Sequence, residues 1–354
     1  MSNTAWENVS NQAIAMAGLV YFIALLVYLA EWASLRQVRG GAAAVKDAEA
    51  APERELVGAA AGGSVTSGGA AGGAGASSSV AEERAGRADF LGRLGVLLTT
   101  IACVVHFVAL VGRGMAADPN RVPWGNMYEF TISGTFVVTL TFLALYRRYQ
   151  LGWMGPLVVT FVTATLMVAV IWLHDSVAPL TEALNSPWLV IHVVSAVIAT
   201  GAFTIGGIAS VMYLVRSRAE KKAAAAGTQL TGWLARVPEL PALDRLAYRV
   251  HAFAFPVWTF AVLITGPIWA HEAWSRYWNW DPKEVWAFIT WVVYAGYLHA
   301  RATAGWKGRK AAMLALVGLG TLWFNFIGIN YFSTTSQHSY AVERVVDAPV
   351  VTRA

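Results

Sequence analysis

Eight apolar runs of roughly membrane-spanning length divide the chain, at about 13–32, 90–111, 127–146, 156–173, 188–215, 247–269, 284–302 and 311–329. About twenty apolar residues in a helix cross the hydrocarbon core of a bilayer. None of the runs alternates apolar with polar positions, as the strands of a membrane barrel do. The pattern predicts an all-α polytopic membrane protein of about eight transmembrane helices, with a Trp-rich external loop before the seventh.

Composition agrees with the pattern. The chain is 56% hydrophobic and only 13% charged, against about a quarter charged in soluble domains. Its net charge of +5 is not spread as a nucleic-acid surface. Arg36 and Arg39, Arg147 and Arg148, Arg216 to Lys222, Arg245 and Arg249, and Arg301 to Lys310 fall in alternate loops. By the positive-inside rule those loops are cytoplasmic and both termini lie outside. The first span has no basic flank before it, which argues against a cleaved signal peptide. Cys103 is the single cysteine, so no internal disulfide forms, and without C-x-x-C-H the chain is not itself a c-type cytochrome. Residues 1–35 are expected to hold the first helix and 36–88, rich in Gly, Ala and Ser, a disordered cytoplasmic linker. Residues 89–340 then form the transmembrane core and 341–354 an external tail.

The stretch WAHEAWSRYWNWDPKEVWAFITW at 269–291 holds six of the sixteen tryptophans. Asp281-Pro282-Lys283-Glu284 reads as a helix start: Asp at the N-cap, Pro at the first position, Glu completing a capping box. Asp281 and Glu284 are therefore expected to be architectural. An interfacial aromatic belt would account for one or two of the indoles. Six in one loop suit a flat surface for a large planar ligand. Of the seven histidines, His192 and His338 fall at the level of this loop. His299 lies some fifteen residues along the seventh span, roughly 22 Å deeper. His251, at a similar depth, is the one intrachain candidate to face it. An intramembrane imidazole is either a helix-to-helix hydrogen-bonder or a ligand, and two outer imidazoles beside an aromatic surface suit bis-histidine ligation of an iron porphyrin.

WSRYWNWDPKEVWAFITW resembles the WWD signature of the haem-handling membrane proteins of cytochrome c maturation. YLHAR at 297–301, GWKGRKAA at 305–312, GIN at 328–330 and HSY at 338–340 look like the CcsA-type member of system II (ResC-like, named CcsB in some bacteria). RVPWGNMYEF at 121–130 resembles that family's other outer-loop motif. The resemblance covers about residues 90–340. One departure is Ser275, where the family often carries Gly.

The resemblance implies a cytochrome c haem lyase subunit of a bacterial cytoplasmic membrane. With a ResB/Ccs1-type partner it would carry haem b to the outer face and attach it to the CxxCH thiols of apocytochrome c. His192 and His338 then correspond to the outer iron ligands and His299 to a deeper haem ligand. The haem site would comprise these with Trp269, Trp274, Trp278, Trp280 and Trp286 of the loop 269–286, together with Asp281, Glu284 and Asn126. Asn126 and Glu129 are expected to brace the platform, and Arg121, Arg276 and Lys283 are cations able to meet either haem propionates or phospholipid headgroups. Two other readings stay open: a haem exporter or chaperone without synthetase activity, and a transporter or scaffold for another planar or amphipathic ligand such as a quinone or lipid.

Overall fold

The computed structural model describes residues 1–49, 71–177, 186–333 and 336, and all regular structure among them is helical. In chain order the main helices are α1 (Asn3–Glu49), α2 (Ala71–Ala116), α3 (Met127–Tyr149), α4 (Gly155–Trp172) and α5 (Pro187–Ala225). They continue as α6 (Leu240–Thr259), α7 (Gly266–Trp274), α8 (Pro282–Ala302), α9 (Arg309–Trp323) and α10 (Ile329–Phe332). A six-residue π-turn, Phe260–Thr265, joins α6 to α7, and a five-residue one, Phe324–Gly328, joins α9 to α10.

Seven of these segments, the continuous Leu240–Trp274 among them, are long and apolar enough to cross a membrane. The eighth expected span is α8, of 21 residues, more polar because it carries Lys283, Glu284, His299 and Arg301. The chain is a multi-pass membrane protein. Bands of exposed Leu, Ile, Val and Phe, such as Phe22, Leu26, Leu97, Ile101 and Val104, give the outside of the bundle the apolar surface that lipid requires.

The first helix is part of the bundle. Ala13, Ala17, Tyr21, Ala24 and Tyr28, spaced three or four apart, are all buried, which is one face of a helix. The Tyr21 hydroxyl donates to Thr139 at 3.3 Å and Ser10 to the Ala109 carbonyl at 2.8 Å. Tyr28 packs where a Cβ at Gly95 or Gly155 would come within 2.6 or 2.5 Å of its ring. Of the stretch 36–88, expected as a disordered linker, residues 50–70 lie outside the described residues. Helix continues to Glu49 and resumes at Ala71, as alanine-rich sequence attached to a spanning helix tends to propagate.

At the basic end of the bundle, Asp244 on α6 takes a bidentate bond from Arg301 on α8, at 2.7 and 2.9 Å. It also accepts the Gly308 N–H at 2.9 Å. Gly308 has φ 65° and ψ −130°, a region open essentially to glycine alone. One carboxylate thus fixes α6, the end of α8 and the start of α9. Replacing Gly308 by Ala should lower the melting temperature by several degrees, since its Cβ would also sit 2.5 Å from the Tyr213 hydroxyl. An unchanged melting curve in differential scanning fluorimetry would contradict this.

Candidate functional site

The tryptophan loop is held by its charged tetrapeptide. Asp281 caps α8 by accepting the Lys283 N–H at 2.9 Å, and Glu284 accepts the N–H groups of Asp281 at 3.1 Å and Asn279 at 2.9 Å. Both halves of the expected capping box are present, and two orphan donors at the helix start are satisfied. Asp281 also accepts the Ser336 hydroxyl at 2.8 Å, which fastens the chain after α10 to the loop. His338 itself lies outside the described residues.

The loop reverses direction after α7 at Ser275, which sits in the left-handed region at φ 59° and caps the helix through its N–H to His271. That conformation costs a residue with a Cβ about 1 kcal/mol or more and explains why glycine suits the position. Changing Ser275 to Gly should raise the melting temperature by roughly 2 °C; a lower value would show that the Ser side chain contributes something the turn geometry does not.

The indoles do not form one flat sheet. Trp269 is 2% exposed and lies parallel to the His192 ring, at 5.9 Å and 14°. Trp274 meets Trp269 edge-on at 4.9 Å and 64°, and Trp280 meets Trp278 at 5.9 Å and 85°. Trp286 packs on Phe324 at 4.3 Å, while Trp280 is 72% exposed. They form separate packed pairs that run from the buried Trp269 to the exposed Trp280. Trp269 belongs to an apolar cluster with Leu189, Val193, Trp124 and Phe130, which seats the loop on α5 and on the RVPWGN segment.

His192 is oriented from behind. Its Nδ1 lies 2.9 Å from the Ala261 carbonyl, a bond that requires the proton on Nδ1 and leaves the ring's acceptor lone pair on Nε2. Ala261 belongs to the π-turn, where the usual ladder is broken, and its carbonyl also accepts Thr265 at 3.1 Å. Pro256, inside α6, removes one backbone donor just before this turn. Gly266 provides the room: a Cβ there would lie 3.0 Å from the Ala261 oxygen and 3.2 Å from the imidazole. A histidine whose far nitrogen is tied to a carbonyl is the usual arrangement of a metal-ligating imidazole.

Beside His192 a cavity of about 200 Å³ reaches from Tyr277, Trp278 and Glu284 down to Thr200 and Trp258. Thr200 is eight residues along α5 from His192, about 12 Å deeper. Among the described residues the buried Nε1 of Trp278 and Oδ1 of Asn325, both on residues lining it, have no hydrogen-bond partner, so the wall keeps polar capacity that a ligand or water would meet.

The RVPWGNMYEF segment is organised by Glu129. Its carboxylate takes Arg113 at 3.0 Å, Arg121 at 2.6 Å and the Gly125 N–H at 2.6 Å, while its own N–H goes to Asn126, the N-cap of α3, at 2.9 Å. Arg113, fully buried, also reaches Glu7 at 3.5 Å and the Asp175 carbonyl. Asn126 and Glu129 thus brace this segment. Arg121 is engaged by Glu129 at 2.6 Å. Lys283 lines the cavity and the exposed Arg276 bonds Asn279 at 2.8 Å. The Ser186 hydroxyl, at the N-cap of α5, bonds Glu272 of α7, a second tie between the His192 helix and the loop.

The remaining histidines separate by environment. His251 is buried against Gly206, Phe203, Tyr294 and Tyr297, with Nδ1 2.6 Å from the Ala247 carbonyl. His299 is exposed. It lies 200° around α8 from the buried Tyr297 and so points away from the bundle. His251 therefore does not face it, and that intrachain candidate is set aside. The sequence reading also missed Ala261, Thr265 and Gly266 behind His192, Ser336 on the cap and Asp244 at the basic end.

The same region carries the family relationship. A model of the Cytochrome C assembly protein family matches residues 124–336, from the tryptophan that seats the loop to the serine that fastens its cap. The chain belongs to this family of cytochrome c assembly proteins, and within it to the CcsA type. It is 33% identical to the cytochrome c biogenesis protein CcsA of Guillardia theta over 267 residues, 70% of this chain and 85% of that protein. It is 35% identical to CcsA of Synechococcus sp. strain CC9902, over 69% of this chain and 85% of the relative. CcsA of Porphyra purpurea is 30% identical over 72% of this chain and 89% of its own length.

Proposed function

We propose that this CcsA-type protein receives haem b, holds it at the outer tryptophan loop between His192 and His338, and presents it for attachment to apocytochrome c. It works together with a ResB/Ccs1-type membrane partner in a bacterial cytoplasmic membrane, with both termini outside. The observation that carries this reading is His192, oriented by the Ala261 carbonyl at the wall of a cavity beneath the loop. The cavity of about 200 Å³ is below the usual range of roughly 300–1,000 Å³ for ligand pockets. Haem therefore lies across its open outer mouth, against Trp278 and Trp280, with one edge toward the thiols.

Attachment adds each S–H of CxxCH across one haem vinyl group: a carbon–sulfur bond forms, the thiol proton ends on the neighbouring carbon, and nothing leaves. Asp281 and Glu284 are occupied as caps, so the protein contributes positioning, which alone accelerates strongly, and axial ligation that protects the iron. His299 faces outward from the bundle, which supports a deeper haem site completed by the partner chain. Replacing His299 by Ala should cut haem recovered with the co-purified complex by half or more, measured by pyridine haemochrome. Full loading would reduce His299 to a surface residue, and complexes purified without any haem would favour the reading as a carrier of another flat or amphipathic ligand.

A further inference from the structure

A groove on the lipid-facing side of the bundle takes no part in the reading above. Its floor is α3 from Ser133 to Arg148, fifteen residues or roughly 22 Å. The outer part of α2 and α5 form its walls toward the external side, and Phe253 of α6 toward the basic side. Its volume of about 1060 Å³ reaches the top of the range for small-molecule sites. The lining is apolar along its length and charged only at its ends, with Arg121 at one and Arg148 and Arg249 at the other.

The two ends differ. Arg121 is neutralised by Glu129. Arg148 lies over the Tyr149 ring at 5.9 Å, and among the described residues neither it nor the exposed Arg249 makes an ion pair. Two guanidinium groups without acidic partners, placed where an apolar slot meets the headgroup region, suit a phosphate. We propose that the groove binds one anionic phospholipid from the leaflet on the basic side, its phosphate between Arg148 and Arg249 and its acyl chains along α3. Haem, which is also anionic and apolar, fits less well: no histidine lines the groove, and the Met115 thioether is at the end away from the arginines.

Native mass spectrometry of the full chain in mild detergent, titrated with dioleoyl phosphatidylglycerol or phosphatidylcholine, tests this. The site predicts one phosphatidylglycerol adduct that outlasts the rest during delipidation. It should bind about thirtyfold more weakly in the Arg148→Gln/Arg249→Gln double variant, from the loss of two cations near the headgroup. Ala144→Phe, which fills the floor from an exposed position without changing charge, should abolish it. Equal retention of the two lipids, or adducts unchanged in both variants, would overturn the proposal. So would a haem adduct lost in the double variant while phosphatidylglycerol stays bound.

Discussion

His192→Ala purified with its partner should lose the outer bis-histidine haem spectrum, and added imidazole should restore it. Removing the ring would delete the proposed ligand while leaving its support in place, because the Ala261 carbonyl keeps its bond from Thr265. The cavity wall then gains a hole the size of an imidazole, which explains why the free ligand can substitute. Occupancy of the outer site should fall at least tenfold, the lower end of what losing only an outer-shell support costs a metal site. His338→Ala should behave in the same way. His174→Ala is the control: that ring is outside the cavity and bonded to Asn11 at 3.3 Å, and its spectrum should match the wild type. Unchanged spectra in both His192→Ala and His338→Ala would refute the ligand assignment.

The second large effect is on stability. Glu129→Ala removes the shared counter-charge of Arg113 and Arg121, whose side chains are 0% and 11% exposed. Breaking a buried pair by deleting one partner costs about 3–5 kcal/mol, a large part of the roughly 5–15 kcal/mol that holds most proteins folded. Glu7 lies 3.5 Å from Arg113 and cannot replace both contacts. Glu129→Ala should therefore aggregate or lose its monodisperse peak in fluorescence-detected size exclusion after mild heating, with or without imidazole. Insensitivity to imidazole separates this structural loss from the ligand loss at His192. A variant as stable as wild type would mean that water or another acid neutralises the two guanidinium groups.

What could be read in advance was local. The spans follow from runs of about twenty apolar residues. The cap follows from four consecutive residue types whose backbone needs are met within one turn, and Asp281 and Glu284 take those roles. Ser275 was noticed as a departure from the family, and its φ of 59° gives the departure a cause. The missed features depend on distant parts of the chain. Asp244 meets Arg301 across fifty-seven positions and Ser336 meets Asp281 across fifty-five; no periodicity marks such pairs. The π-turn behind His192 left only Pro256 and Gly266 as traces, and neither predicts which carbonyl meets the imidazole. The pairing of Arg121 with Glu129 and the burial of His251 are tertiary facts of the same kind, and they decide what a charged or imidazole side chain can reach.

The central claim is that the tryptophan loop and its histidines present haem for covalent attachment. Single-turnover reconstitution of the chain with its partner, reduced haem and an apocytochrome carrying CxxCH tests it most directly, read as haem that stays on the apocytochrome in a denaturing gel and as a thioether-shifted pyridine haemochrome band. Product is expected with the wild type, and none with His192→Ala until imidazole is added. Wild-type complex that binds haem at the outer site yet yields no thioether would contradict it, and would make this protein a haem carrier.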